Sequence, residues 1–184
     1  GNGDEVAVAD FSFPATANVV EDVGAIPTFV DVDPETFNMS LFDLKKKITN
    51  RTKAVIFVDA LGNPTGLHKI SEFCKDNNIP LIEDAACALG SHENNQMCGS
   101  IADLTCFSFH PRKLLCTGEG GAIVTGNDEW ARQLEIKLLH GGVAHNKIGM
   151  DFVDFGYNFR MTELQAVMGI KQLNTLDTVI RHRN

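Results

Sequence analysis

Two segments of this chain carry residues that could do chemistry together. In the first, the apolar run Pro80–Ile82 ends in Glu83-Asp84-Ala85-Ala86. In the second, Phe107-Ser108-Phe109 leads through His110-Pro111-Arg112 to Lys113, and a Gly-Glu-Gly-Gly turn (Gly118–Gly121) opens a further apolar strand. Each group has a plainer role open to it. A lysine near a glycine-rich turn is usually a surface charge, Asp84 could cap a helix starting near Ala85, and Ser108 could be an ordinary strand serine. What favours chemistry is the combination. Lys113 follows an apolar strand and a proline, so its stem is expected to be partly buried. Desolvation favours the neutral amine of a lysine, which is its nucleophilic form. A carboxylate after one strand and a lysine after a later one suit a pyridoxal phosphate (PLP) site. There the lysine makes a Schiff base and the carboxylate pairs with the pyridinium nitrogen.

The elements that must hold these groups alternate along the chain. Strands are expected at Val6–Ala9, Thr28–Val32, Ala54–Val58, Pro80–Ile82, Phe107–Phe109 and Ala122–Thr125. Helices are expected at Ala15–Val23, stopped by Gly24, and at Leu41–Ile48, capped by Ser40. Further helices are expected at His68–Asn77, Asp128–Leu139 and Thr162–Leu176. The continuous run Ala54–Val58 reads as a strand covered on both faces. Repeated strand–helix alternation predicts an α/β fold with a mainly parallel sheet. Ligands in such sheets lie beyond the carboxyl ends of the strands, where Asp84, Ser108 and Lys113 fall.

Composition narrows the function classes. The 184 residues suffice for one domain with a real core, and the net charge of −8 argues against a general nucleic-acid binder. Lys45-Lys46-Lys47 is the one basic cluster and reads as a solvated helix face. No apolar run reaches the length of a membrane span. Five cysteines without a CxxC pair favour reduced thiols in a cytoplasmic protein. His110, His140 and His145 lack metal-ligand spacing, so no metal is assigned. Phe11 and Phe13 follow the first strand; either could stack on a flat ring, although core packing is the ordinary role of a phenylalanine. Gly1–Glu5 reads as a turn just before a strand, and Arg181–Asn184 closes a helical pattern, so a fragment of a longer enzyme is expected.

Beyond the two central segments, the chain contains Gly3-Asp4-Glu5-Val6, Phe11-Ser12-Phe13 with Ala15–Asn18, Phe29–Asp33, Thr52-Lys53-Ala54 and Gly156–Met161. In this order and spacing, and over nearly the whole chain, these segments resemble the DegT/DnrJ/EryC1/StrS family of PLP-dependent sugar aminotransferases. The resemblance implies the large domain of PLP transferase fold type I, three layers with a mainly parallel sheet between helices. It places an upstream Gly-Ser/Thr phosphate cradle before residue 1 and a small C-terminal domain after residue 184. It gives Lys113 the covalent link to PLP and the proton shuttle, Asp84 the pyridine nitrogen, and Ser108 the phosphate. Phe13 would lie against the ring, and Asn158 would reach the phosphate of a neighbouring subunit, implying a homodimer with shared active sites. Cys87 stands near the ring hydroxyl, where the family often has glutamine or histidine; Asn63 could help there. The implied substrates are an amino-acid donor, glutamate, and a keto-sugar nucleotide. A related dehydratase branch replaces the lysine by histidine, so Lys113 favours transamination over dehydration. A non-catalytic regulatory role is the remaining alternative, which the retained Lys113, Asp84, Ser108 and Asn158 disfavour.

Overall fold

The computed structural model describes residues 1–145 and 149–183. In chain order it contains β1 (Glu5–Ala9), α1 (Ala15–Asp22), β2 (Ile26–Val30), α2 (Leu41–Lys47), β3 (Thr52–Val58), α3 (Leu67–Asp76) and β4 (Leu81–Asp84). There follow a hairpin of β5 (His92–Glu93) and β6 (Gln96–Met97), then β7 (Leu104–Ser108), β8 (Gly121–Val124) and α4 (Asp128–Leu138). A second hairpin, β9 (Gly142–His145) and β10 (Gly149–Phe152), precedes α5 (Glu163–Leu173) and α6 (Leu176–Arg183).

The central sheet has six strands in the order β2-β1-β3-β4-β7-β8. All neighbouring pairs are parallel except β7–β8, which is antiparallel. Side chains alternate between two faces, and the core divides accordingly. Ala7, Ala9, Val55, Phe57 and Leu81 pack with Leu44 of α2 and with Leu67, Ile70 and Cys74 of α3. Val8 and Ile56, with Val6 and Ile82 partly buried, pack with Val20 of α1 on the other face. This is the mainly parallel α/β sheet expected from the alternation, in the three layers that the resemblance implies.

Several boundaries differ from the sequence expectation for identifiable reasons. The second strand runs from Ile26 to Val30, two residues earlier than expected, and includes Pro27. Because β2 is an edge strand, the missing N–H of Pro27 costs no interior ladder bond. Val32 instead makes an isolated bridge to Met39. The last helical pattern is two helices, parted at Asn174 and Thr175. Its start is a capping box in which Thr162 and Gln165 exchange side-chain and backbone bonds. Its end, Asn184, lies outside the described residues. Helix α1 stops as expected: Gly24 has φ +74, Gly24 N–H donates to Glu21 O, and Ala25 N–H donates to Val20 O. That pair of bonds is the Schellman pattern, which needs a left-handed residue. The β5–β6 hairpin went unread in the sequence. Its signal was Asn94-Asn95, both with positive φ, as a two-residue primed turn requires.

Candidate active site

Asp84 is the last residue of β4, and no helix follows it. The helix-capping role open to it in the sequence is therefore excluded. The chain turns instead, with Ala86 N–H donating to Asp84 Oδ1 at 3.1 Å. Strand alternation puts Asp84 on the α1 face, where Thr16 donates its hydroxyl to Asp84 Oδ2 at 3.3 Å. Thr16 Oγ1 lies 2.6 Å from Ser12 Oγ. A relay from the loop after β1 thus orients the carboxylate. Thr16 is buried; in sequence it stood only within Ala15–Asn18, with no role of its own.

The neighbouring parallel strand supplies the next groups. Cys106 of β7 pairs with Asp84, and Ser108 ends the same strand two residues on. Ser108 Oγ accepts from His110 N–H at 3.3 Å, starting the turn that carries Lys113. Lys113 N–H donates to His110 O, and Arg112 N–H donates to His110 Nδ1. His110 is thus a local turn residue. Lys113 is half-buried, as expected, and its Nζ lies 3.1 Å from Cys87 Sγ in the turn after β4. The lysine therefore reaches back over the end of the strand that presents Asp84.

The glycine-rich turn is held in shape by its backbone. Gly118 and Gly120 have φ of +84 and +147. Glu119 O accepts from Thr117 Oγ1 and from Gln165 Nε2. Gly121 pairs with Ser108, and a Cβ there would stand 2.6 Å from Phe107 O. A side chain at this position would push β8 away from the strand end that carries Ser108.

The loop after β1 settles which phenylalanine is free. Phe11 packs against Phe37 with ring centroids 5.1 Å apart, whereas Phe13 is 70% exposed. Neither takes the core role that is ordinary for the residue. Asn63 Oδ1 accepts from both Thr65 N–H and Thr65 Oγ1, so its carbonyl oxygen serves its own turn. Asn158 stands apart. It bridges Leu139 and accepts from Arg160 Nε at 2.8 Å; among the described residues no hydrogen bond joins it to Lys113, Asp84 or Ser108.

A cleft of about 660 Å³ opens beside Lys113, between the loops after β3, β4 and β7. Leu61, Cys87, His92, Arg112, Lys113 and Arg183 are among its lining residues, which include no carboxylate. A cleft of that size suits a small organic ligand, and its charge suits an anion. A second cavity, of about 580 Å³ between Ile48 and Pro80, lies at the opposite ends of the strands, away from these groups.

The wall of the cleft is stapled to α3. Glu93 of β5 accepts from Gly66 N–H (2.6 Å), His68 N–H (2.7 Å) and His68 Nδ1 (2.8 Å). Gly66 gives the helix no side-chain cap, so Glu93 caps it from outside. His68 Nε2 faces Gln96 Oε1 at 2.9 Å, and Gln96 uses its Nε2 on Ser100 O. Both ring nitrogens therefore face acceptors, the arrangement of an imidazolium. The Gln96 bond first, then Glu93, raises the His68 pKa above its ordinary value. Burial works to raise the Glu93 pKa, but the His68 and Gly66 N–H groups and the imidazole outweigh it, and the carboxyl is held below its ordinary range.

The comparisons with known proteins agree with the fold. A GDP-perosamine synthase of Escherichia coli O157:H7 is 40% identical over 185 residues, covering 98% of this chain and 49% of that protein. Helicobacter pylori PseC, an aminotransferase involved in pseudoaminic acid biosynthesis, superposes with a TM-score of 0.91 at 31% identity, over 97% of this chain and 48% of its own. A putative sugar aminotransferase from Streptococcus pneumoniae, Spr1654, superposes in its PMP form with a TM-score of 0.91 at 31% identity, over 100% of this chain and 53% of its own. The chain thus spans about half the length of these relatives. The pattern of one family matches residues 1–184 from end to end, and the chain belongs to the DegT/DnrJ/EryC1/StrS aminotransferase family.

Proposed function

We propose that residues 1–184 are part of the large, cofactor-binding domain of a PLP-dependent nucleotide-sugar aminotransferase. Its substrates in this reading are an amino-acid donor, glutamate, and a keto-sugar nucleotide, and its product is an amino sugar for polysaccharide synthesis. The observation that carries the reading is the position of Lys113 Nζ, 3.1 Å from Cys87 Sγ in the turn just past the strand end that carries Asp84. The relative from S. pneumoniae, solved in PLP and PMP forms, supports the cofactor.

The residues fit that group: an amine for its aldehyde, a fixed carboxylate for its ring nitrogen, a strand-end hydroxyl for its phosphate and a free aromatic face. When bound, PLP supplies an electron sink and carries the amino group from donor to acceptor. Asp84, oriented by Thr16 and Ala86 N–H, would hold a proton on the ring nitrogen. Ser108 Oγ would hold the phosphate, and the exposed Phe13 would offer an aromatic face to the ring. Lys113 Nζ would hold the cofactor and, as a free amine, would carry the proton that the reaction moves. Cys87 stands beside that amine, where its thiol would face the ring hydroxyl. Arg112 and Arg183 line the cleft and suit the diphosphate of a nucleotide sugar.

In the same reading the protein is a cytoplasmic homodimer, and Asn158 serves the partner's phosphate. Its segment supports an interface: Phe155 and Phe159 are 67% and 66% exposed, and Leu164 of α5 is 81% exposed. Among the described residues no helix is long and apolar enough to cross a membrane.

Borohydride reduction of the full-length protein with PLP tests the reading. A pyridoxyl group on Lys113, absent in Lys113→Ala together with all turnover, is the expected result. An unlabelled Lys113, or a variant that keeps substantial activity, would refute it. Product analysis checks the reaction: nitrogen gain marks transamination, and deoxygenation without it would instead mark a dehydratase.

A further inference from the structure

The opposite face of the same two strands holds a cluster that the proposed chemistry does not use. Glu83 precedes Asp84 on β4 and points away from it, toward the α3 face; Asp59 follows the end of β3 on that face too. Asp59 is 1% exposed and Glu83 0%. An oxygen of each and the buried Cys98 Sγ lie within 4.8 Å of one another. Glu83 Oε2 accepts from Thr105 Oγ1 at 2.7 Å and from Gly99 N–H at 3.0 Å. Glu83 Oε1 and both carboxylate oxygens of Asp59 have no hydrogen-bond partner among the described residues. The ionisable groups that face Asp59 are Glu83, Asp84 and Cys98, and none carries a positive charge.

Two buried anions in contact without a cation are not tenable, because each loses its hydration and repels the other. We propose that Asp59 and Glu83 share one proton, carried on Asp59 and donated to Glu83 Oε1, forming a proton site beneath the cofactor aspartate. Glu83 Oε2 already accepts two hydrogen bonds, while Asp59 has no donor stronger than a thiol, so the proton is assigned to Asp59. This assignment converts three orphaned oxygens into a chain. Cys98 S–H faces one oxygen of Asp59, the O–H of Asp59 reaches Glu83, and Glu83 is finished by Thr105 and Gly99. Burial first, then the charge and hydrogen bond of Glu83, push Asp59 up to about 8. Burial and the same carboxyls push the Cys98 thiol far up, so it remains a donor.

A cation fits the cluster less well. Three residues offer fewer ligands than the six or more oxygens a calcium or magnesium ion takes, and the set lacks the histidines or multiple thiolates of a structural zinc site. The proton site also bears on the strand ends that carry the chemistry: Asp59 N–H donates to Asp84 O at 3.1 Å, tying β3 to the cofactor aspartate.

The sign of the pH effect follows. The folded chain keeps a proton that the unfolded chain releases near the ordinary 3.8, so stability falls as pH rises from about 4 to about 8 and then levels. The unfolding constant grows by up to about tenfold per pH unit in that window. The His68–Glu93 pair adds a slope of the same sign above the ordinary His value, so the readout is the difference between wild type and Asp59→Asn. In that variant the amide donates to Glu83 Oε1 without titrating.

Infrared spectra and denaturant unfolding of the full-length protein between pH 6 and pH 9 test this, with metal analysis of the same sample. The expected result is a protonated-carboxyl band in wild type that bleaches near pH 8, is missing in Asp59→Asn, and goes with a flatter stability profile in the variant. Absence of the band in wild type at pH 7, its persistence in the variant, or a stoichiometric cation would overturn the proposal. If Asp59→Asn does not fold, the wild-type band and its pH dependence still decide the matter. None of these readouts depends on PLP or on turnover.

Discussion

Replacing Glu93 by alanine should loosen the wall of the cleft by a predictable amount. The carboxylate caps α3 through two backbone N–H groups and holds the His68 ring; its side chain is 16% exposed and that of His68 25%. Loss of a helix cap costs about 1 kcal/mol, and hydrogen bonds to a charged group contribute about 1.5–3 kcal/mol each. The freed amides can reach water at this half-buried site, so the full sum is not lost. A destabilisation of about 2–3 kcal/mol is expected, lowering the urea midpoint by about 1 M with an unchanged slope. The pH dependence separates the parts. The raised His68 pKa means that the ion-pair contribution is complete below the ordinary 6.5 and is lost as pH climbs through the folded value. The lowered Glu93 pKa means that its contribution is complete above the ordinary 4.5 and is lost as pH drops through the folded value. Between those two ordinary values both are present. Urea unfolding of the full-length protein at pH 5.5 and 8.5 is the assay, and Glu93→Ala should lose more at pH 5.5. A loss below about 0.5 kcal/mol, which is ordinary for a surface substitution, or an equal loss at both pH values would refute the reasoning.

Thr16→Val keeps the shape of a buried residue but removes the hydroxyl between Ser12 and Asp84. It should lower kcat/KM by about three- to tenfold, the kinetic equivalent of one hydrogen bond, while the fold persists. Kinetics on the full-length variant check this, and an unchanged rate would remove Thr16 from the orientation of Asp84. Gly121→Ala places a Cβ 2.6 Å from Phe107 O across the β7–β8 pair. The pair must open or shift, at a cost of about 1–3 kcal/mol and with weakened PLP binding through the displaced Ser108. Thermal unfolding and a PLP titration measure both effects, and a wild-type Tm would contradict the predicted clash.

Local chemistry made much of this protein legible in its sequence. The apolar run Ala54–Val58 read as a strand covered on both faces, Ser40 and Gly24 marked helix ends, and Asp84, Ser108 and Lys113 each fall near the end of a strand pattern. These features depend on a residue and its near neighbours, which is the information that a linear chain carries. Pairing across the chain decided the rest. That Asp84 ends a strand without capping a helix depends on its ladder with β7, and its orientation on Thr16, 68 residues away in the chain. The closeness of Lys113 to Cys87 depends on parallel strands bringing two loops together. Glu83 and Asp59 read as ordinary acidic residues in sequence. Only burial on one face, with no positive charge among the groups that face Asp59, makes them a proton site, because the cost of a charge is set by what surrounds it in space.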